Sequence, residues 1–250
     1  ALCEDTILVS IMYVNNEVGS IQPIQEAASI VKAYNKDILF HVDAVQGFGK
    51  YKIYPKKLKV DMCSISGHKI HGPKGVGLLY VGERVKIQPI VFGGGQQQNL
   101  RSGTENVAAI VGFGKACELA VAAVDERARR LAALRERLEA GLVQMGAQIF
   151  SAAAPRLPNT SFFALAGIDG ETLVGKLDRA GFAVASGSAC SSANPEPSRT
   201  LMAMGVEAGL ARSAVRVSLG AGSSEQDIDG FLKTLGENLA SLRTLAAVAV

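Results

Sequence analysis

The chain has 250 residues, with 26 Lys and Arg against 23 Asp and Glu, giving a formal net charge of +3. So even a balance leaves nucleic-acid binding without compositional support. With 48% apolar and 20% charged residues the chain is too apolar for disorder and long enough for one or two domains.

No apolar run is long enough to cross a membrane, and the opening Ala1-Leu-Cys-Glu-Asp5 lacks the basic-then-apolar order of a secretory signal, so a soluble, cytoplasmic protein is expected. Cys3, Cys63, Cys117 and Cys190 lie far apart with no Cys-x-x-Cys pair, and only three histidines are present. Zinc sites and disulfide frameworks are thereby excluded, and each cysteine is either a buried small hydrophobe or a reactive thiol.

In chain order, the apolar runs Ile7 to Val14 and Ile38 to Val42 read as buried parallel strands, each ending in polar residues. Between them Ile24, Ala27, Val31 and Tyr34 recur at helical spacing behind Pro23, which makes a βαβ unit. Val60 to Ser66 and Val76 to Val81 supply two further strands. The first half is therefore a doubly wound α/β layer, assigned to residues 1–115. After the glycine loop Gly93 to Gly95, a single long helix is expected from about Glu105 to Met145, with Leu131, Leu134, Leu138, Leu142 and Met145 as its apolar stripe. Short strands at Gln148 to Phe150, Asn159 to Ala164 and Ala214 to Ser218 alternate with helices. The last helix is opened by a Ser223/Gln226 capping box and shows an apolar face of Ile228, Phe231, Leu235, Leu239 and Leu242. Residues 116–250 thus form a smaller α+β domain.

Ligands of open α/β sheets sit beyond the carboxyl ends of the strands, and three such ends are polar here. They carry Asn15, Asn16 and Glu17; Asp43 and Gln46; and Ser64, Ser66, His68 and Lys69. A lysine past a buried strand, with an aspartate on a neighbouring strand end, is the pair pyridoxal phosphate (PLP) needs. The lysine is its Schiff-base partner and the aspartate the partner of its pyridinium nitrogen. Ser66 and His68 could then hold the phosphate, and Gln46 the ring hydroxyl. The same residues also suit a solvated lysine and an aspartate that binds Mg²⁺ or caps a loop. A phosphate-loop reading of Gly67 to Gly72 fails, because Pro73 stands where that loop needs lysine.

Cys190 lies in Ala185-Ser-Gly-Ser-Ala-Cys-Ser-Ser-Ala-Asn-Pro-Glu-Pro-Ser198, a stretch of small polar residues and prolines that reads as an exposed loop. It is either a reactive thiol or an incidental surface one. Arg216, a charge within an apolar strand, is either a buried ion-pair member or a fork for a substrate carboxylate.

Taken together, Val14-Asn-Asn-Glu17, His41-Val-Asp-Ala-Val-Gln46, Ser66-Gly-His-Lys-Ile70, Gly72-Pro-Lys-Gly75, Arg101-Ser-Gly-Thr104 and Ser186-Gly-Ser-Ala-Cys190 resemble the PLP-dependent cysteine desulfurases of the class-V aminotransferase family. The motifs run in that family's order along essentially the whole chain, and Ser-Gly-Ser-Ala-Cys is similar to the branch that feeds iron–sulfur cluster assembly. The resemblance implies a fold-type I α/β architecture, a homodimer, and conversion of L-cysteine to L-alanine with the sulfur passed on as a persulfide to a scaffold or other acceptor protein. By the same resemblance Lys69 is the Schiff-base lysine, Asp43 the pyridinium partner and Gln46 the donor to the ring oxygen. Ser66 and His68 hold the phosphate, and Thr104 reaches the phosphate of the other subunit's cofactor. Asn16 and Arg216 bind the substrate carboxylate, and Cys190 accepts sulfur. No intrinsic metal site is expected, Cys190 being a candidate transient ligand to an iron–sulfur cluster. The family's phosphate cup and ring-stacking histidine lie upstream of Ala1, so a fragment of a longer enzyme is expected. The alternatives are an aminotransferase or selenocysteine lyase of the same family, and a non-catalytic subunit that docks a sulfur acceptor.

Overall fold

The computed structural model describes residues 1–187 and 196–248, without the side chains of 243–248. The chain divides into two units, one of residues 1–14 and 22–125 and the other of residues 15–21 and 126–250. The boundary expected at 115/116 falls inside a helix of the first unit, Val107–Ala122. The short Asn15–Ile21 segment belongs with the second unit.

The first unit is built on a four-stranded sheet of order β1 (Leu8–Met12), β2 (Leu39–Asp43), β3 (Met62–Ser66) and β4 (Gly77–Val81). β1, β2 and β3 are parallel, whereas β4 runs antiparallel to β3. Helix α1 (Ile24–Tyr34) buries Ile24, Ala28 and Val31 against Phe40, Val42 and Cys63. Ala27, by contrast, is only half-buried and Tyr34 is 50% exposed, so the buried stripe is narrower than the spacing suggests. Burying each of the larger apolar side chains contributes about 1.5–3 kcal/mol, which is what fixes α1 to this face of the sheet.

β1 comes first in the described sheet order and alternates between exposed and half-buried positions. Asp61, at the start of β3, accepts from Lys32 Nζ (2.5 Å), Arg84 Nε (2.6 Å) and Nη2 (2.8 Å) and the Phe40 amide (2.7 Å). One carboxylate thereby ties α1, β2 and the turn after β4 together.

The long helix expected between Glu105 and Met145 is two helices, α2 (Val107–Ala122) and α3 (Val124–Gln144), separated at Ala123, whose φ and ψ are −95° and 1°. No single described helix is long and apolar enough to cross a membrane.

In the second unit an antiparallel sheet has the order β5 (Gln148–Ile149), β6 (Thr160–Ala164) and β7 (Ala214–Ser218). β6 is buried along its whole length because both of its faces are covered. On one face Phe163, Val215 and Val217 meet Leu131, Leu134, Leu138 and Leu142 of α3, Leu173 and Leu177 of α4 (Gly170–Arg179), and Ile228, Phe231, Leu235 and Leu239 of α7 (Glu225–Val248). On the other, Phe162, Ala164 and Ala214 meet Val18, Phe150, Leu201 of α5 (Arg199–Ala203) and Ala211 of α6 (Ala208–Arg212). The capping box of α7 lies one residue later than expected: Ser224 Oγ accepts from the Asp227 amide (3.2 Å), and Asp227 Oδ2 accepts from the Ser224 amide (2.8 Å).

Candidate active site

Strand alternation in the first unit sends Phe40 and Val42 toward α1, and His41 and Asp43 to the opposite face. Register then aligns Met12, Asp43 and Ser64 across three strands. On that same face the His41 ring links Ser10 Oγ at Nδ1 and Ser64 Oγ at Nε2, both at 2.8 Å. The sequence alone assigns no role to Ser10, nor to His41 beyond its place in a motif. The available signal was position, since a histidine two residues before Asp43 on a strand must share its face.

Asp43 is half-buried; its Oδ1 accepts from the Val45 amide (2.9 Å), and no described partner takes Oδ2. Gln46 Oε1 accepts from Lys50 Nζ (3.1 Å), which leaves the amide NH₂ as the free end of that side chain.

β3 runs into a 3₁₀ turn, Gly67–Ile70, that ends with His71 in the left-handed region at φ 65°. Glycine suits its start, because a Cβ on Gly67 would stand tightly at 3.0 Å from the Val76 carbonyl oxygen and 3.2 Å from Phe113 Cδ2. Ile70 anchors the turn in a cluster with Phe113, Ala116 and Ala120 of α2, so a rigid base carries His68 and Lys69, which are exposed. His68 Nδ1 is 2.8 Å from Ser66 Oγ. Among the described residues the Lys69 amine has no hydrogen-bond partner.

The set comprises a carboxylate with a free oxygen, an amide NH₂, a hydroxyl paired to an imidazole, and a free amine. Those groups fit a pyridinium nitrogen, a phenolic oxygen, a phosphate and an aldehyde in turn, so the residues present are suited to PLP.

Thr104 is exposed, beyond a glycine loop held by Ser102 Oγ accepting from the Gly94 amide (2.9 Å) and Gln96 Oε1 accepting from the Gly103 amide (3.2 Å).

In the second unit Arg216 Nη1 donates to the Asn16 carbonyl (2.6 Å). Burial pushes the Arg216 guanidinium below its ordinary value, and the negative charge of Glu17 opposes this. No carboxylate among the described residues forms an ion pair with it, so its remaining donors suit an incoming anion. Cys190 lies outside the described residues. Of the other thiols, Cys63 is buried, and desolvation together with the Asp43 charge pushes it up to about 11. Burial likewise raises Cys117. Neither of these two has the depressed value of a nucleophile, whereas the hydrogen bond with Thr6 holds the exposed Cys3 thiol below its ordinary value.

A mixed sheet with polar groups gathered at its strand ends, followed by an α+β unit, is the architecture of fold-type I PLP enzymes. The chain belongs to the class-V aminotransferase family, whose model matches residues 1–231. It is 44% identical over 248 residues to a cysteine desulfurase IscS from Dictyoglomus turgidum, covering 98% of this chain and 62% of that relative. Among solved structures, a NifS-like protein superposes with a TM-score of 0.89 at 44% identity, over 96% of this chain and 62% of that one. SspA in complex with cysteine gives a TM-score of 0.68 at 31% identity, over 88% and 60%. The chain thus spans about 62% of the length of the curated relative.

Proposed function

We propose that the protein is a cysteine desulfurase that converts L-cysteine to L-alanine and passes the sulfur, as a Cys190 persulfide, to an acceptor in iron–sulfur cluster assembly. The observation that carries this reading is the pairing, within one unit, of a free Lys69 amine on a rigid turn with an Asp43 carboxylate whose Oδ2 is free. Similarity to IscS and NifS-like proteins supports the choice of substrate, as does a relative solved with cysteine.

Bound PLP supplies an electron sink that makes the Cα proton of an amino acid removable. The Lys69 amine would anchor it and would move that proton. Asp43 keeps the ring nitrogen protonated, Gln46 donates to the ring oxygen, and Ser66 with His68 binds the phosphate. Asn16 and Arg216 hold the substrate carboxylate; the charged fork of Arg216 is already oriented by its bond to the Asn16 carbonyl. Cys190, as thiolate, attacks the substrate sulfur: the S–S bond forms as the C–S bond breaks, and protonation of the remaining carbon skeleton gives alanine. Thr104 serves a second copy of the chain, so the working unit is a homodimer. Free thiols at Cys3, Cys63 and Cys117 suit a reducing compartment such as the cytoplasm.

The test is product analysis with L-cysteine and PLP. Alanine and protein-bound sulfur formed in equal amounts support the reading, whereas pyruvate or a transaminated keto acid without alanine contradicts it.

A further inference from the structure

Glu17 closes the Val14-Asn-Asn-Glu motif, and the reaction described above does not use it. The residue is only 7% exposed, and no Lys, Arg or His among the described residues pairs with its carboxylate. Hydroxyls serve it instead: Ser198 Oγ donates to Oε2 at 2.5 Å and Thr200 Oγ1 donates to Oε1 at 2.9 Å. A buried carboxylate held by hydroxyls and by no direct ion pair among the described residues is costly where an apolar residue would pack freely, even with the Arg216 charge near enough to act on it, so its presence calls for a role.

The two hydroxyls belong to the start of α5. Ser198 is its N-cap and also accepts from the Leu201 amide at 3.2 Å. Gly187 lies on the other side of the same carboxylate, in the left-handed region at φ 66°. A Cβ built there would stand 3.7 Å from Glu17 Oε2 and 3.9 Å from Ser198 Cβ. Just before it, Ser186 Oγ donates to Glu171 of α4, and Ala185 exchanges two backbone hydrogen bonds with Arg216, at 3.2 and 2.6 Å. Asn16, the residue next to Glu17, accepts from Arg216 Nη1 on its carbonyl. Gly187 and Ser198 flank the stretch of sequence that holds Cys190. Both flanks therefore meet at one carboxylate, which is covalently adjacent to the residue that orients Arg216.

We propose that Glu17 is a positioning residue for sulfur acceptance, holding the two described flanks of the Cys190 segment in a fixed relation to the Asn16–Arg216 carboxylate fork. This rests on the desulfurase reading. Glu17 acts through Ser198 and Thr200, with Gly187 lying beside its carboxylate, and contact with substrate or cofactor forms no part of its role.

The test compares Glu17→Ala and Glu17→Gln in the PLP-loaded protein. Glu17→Ala is expected to keep PLP affinity and to leave KM for cysteine within about twofold, while slowing single-turnover persulfide formation on Cys190 by about tenfold or more. Glu17→Gln keeps the length and an acceptor oxygen, and is expected to recover to within about threefold of the parent. Should Glu17→Ala fail to fold, Thr200→Val decides, with an expected slowing of about threefold at unchanged KM. Hydrogen exchange supplies a readout independent of turnover: the Ala185 and Arg216 amides should exchange faster in Glu17→Ala, while those of Phe163 and Val215 keep their parental rates. A parental persulfide rate in the folded variant, or equal losses in PLP affinity and rate, overturns the proposal. If the parent protein forms no persulfide, the desulfurase reading fails by itself, and unchanged exchange at Ala185 and Arg216 is then the result that overturns the anchoring role.

Discussion

Ser66 Oγ and His68 Nδ1 are 2.8 Å apart, across the single glycine that turns β3 into the 3₁₀ turn bearing Lys69. The pair turns a strand end into a two-pronged polar site, and its geometry depends on that glycine. Gly67→Ala would bring a Cβ to 3.0 Å from the Val76 carbonyl oxygen. It is expected to destabilise the protein by about 1–3 kcal/mol, as overpacking does, and to weaken PLP retention. Chemical denaturation and cofactor titration check this; unchanged values in both would show that the turn adapts.

Lys69→Ala is expected to abolish borohydride-reducible attachment of PLP, because no other amine is carried on this turn beside Ser66 and His68. The near-ultraviolet absorption and fluorescence of the reduced, dialysed protein read the outcome. A retained adduct would move the anchor to another lysine.

Much of the site was legible in the sequence because strand alternation and polar strand ends are local signals. Asp43, Ser66, His68 and Lys69 could be placed from them directly. The contacts of Ser10, His41 and Glu17 could not, because their partners at Ser64, Ser198 and Thr200 are distant in sequence and are brought near only by register or by the packing of α5. The helix break at Ala123 was equally hidden: alanine is a strong helix former, so nothing local marks the end of α2. The exposure of alternate β1 residues depends on what lies beside the strand, and its apolar run reads the same whether buried or not.

Asp61 makes stability depend on acid. Burial alone would raise its carboxyl, but hydrogen bonds from Arg84, Lys32 and the Phe40 amide outweigh it and hold the group at about 2 against an ordinary 3.8. A depressed carboxyl stabilises fully above its unfolded value and loses that contribution as pH falls through the folded one. The window is therefore from about pH 4 down to about 2, and the contribution about 2 kcal/mol. Asp61→Asn is expected to cost about 2–3 kcal/mol at neutral pH, with the difference from the parent shrinking across that window. Unfolding curves at several pH values measure it, and a pH-independent difference would remove the linkage.

Thr104→Ala is expected to weaken PLP retention by about 1.5–3 kcal/mol, the loss of one hydrogen bond to a charged phosphate. Mixing it with Lys69→Ala chains should restore part of the cofactor binding if each site draws Thr104 from the other copy. No restoration in mixed dimers would confine each site to one chain.

The central claim is that Cys190 takes sulfur from cysteine. Mass analysis of the Cys190 peptide after one turnover of the PLP-loaded protein with L-cysteine, in parallel with a Cys190→Ser variant, tests it most directly. The account predicts a gain of one sulfur atom on Cys190, released by added thiol, and a variant that still binds PLP but carries no extra sulfur anywhere. An unmodified Cys190 peptide alongside full alanine production in both proteins would contradict it.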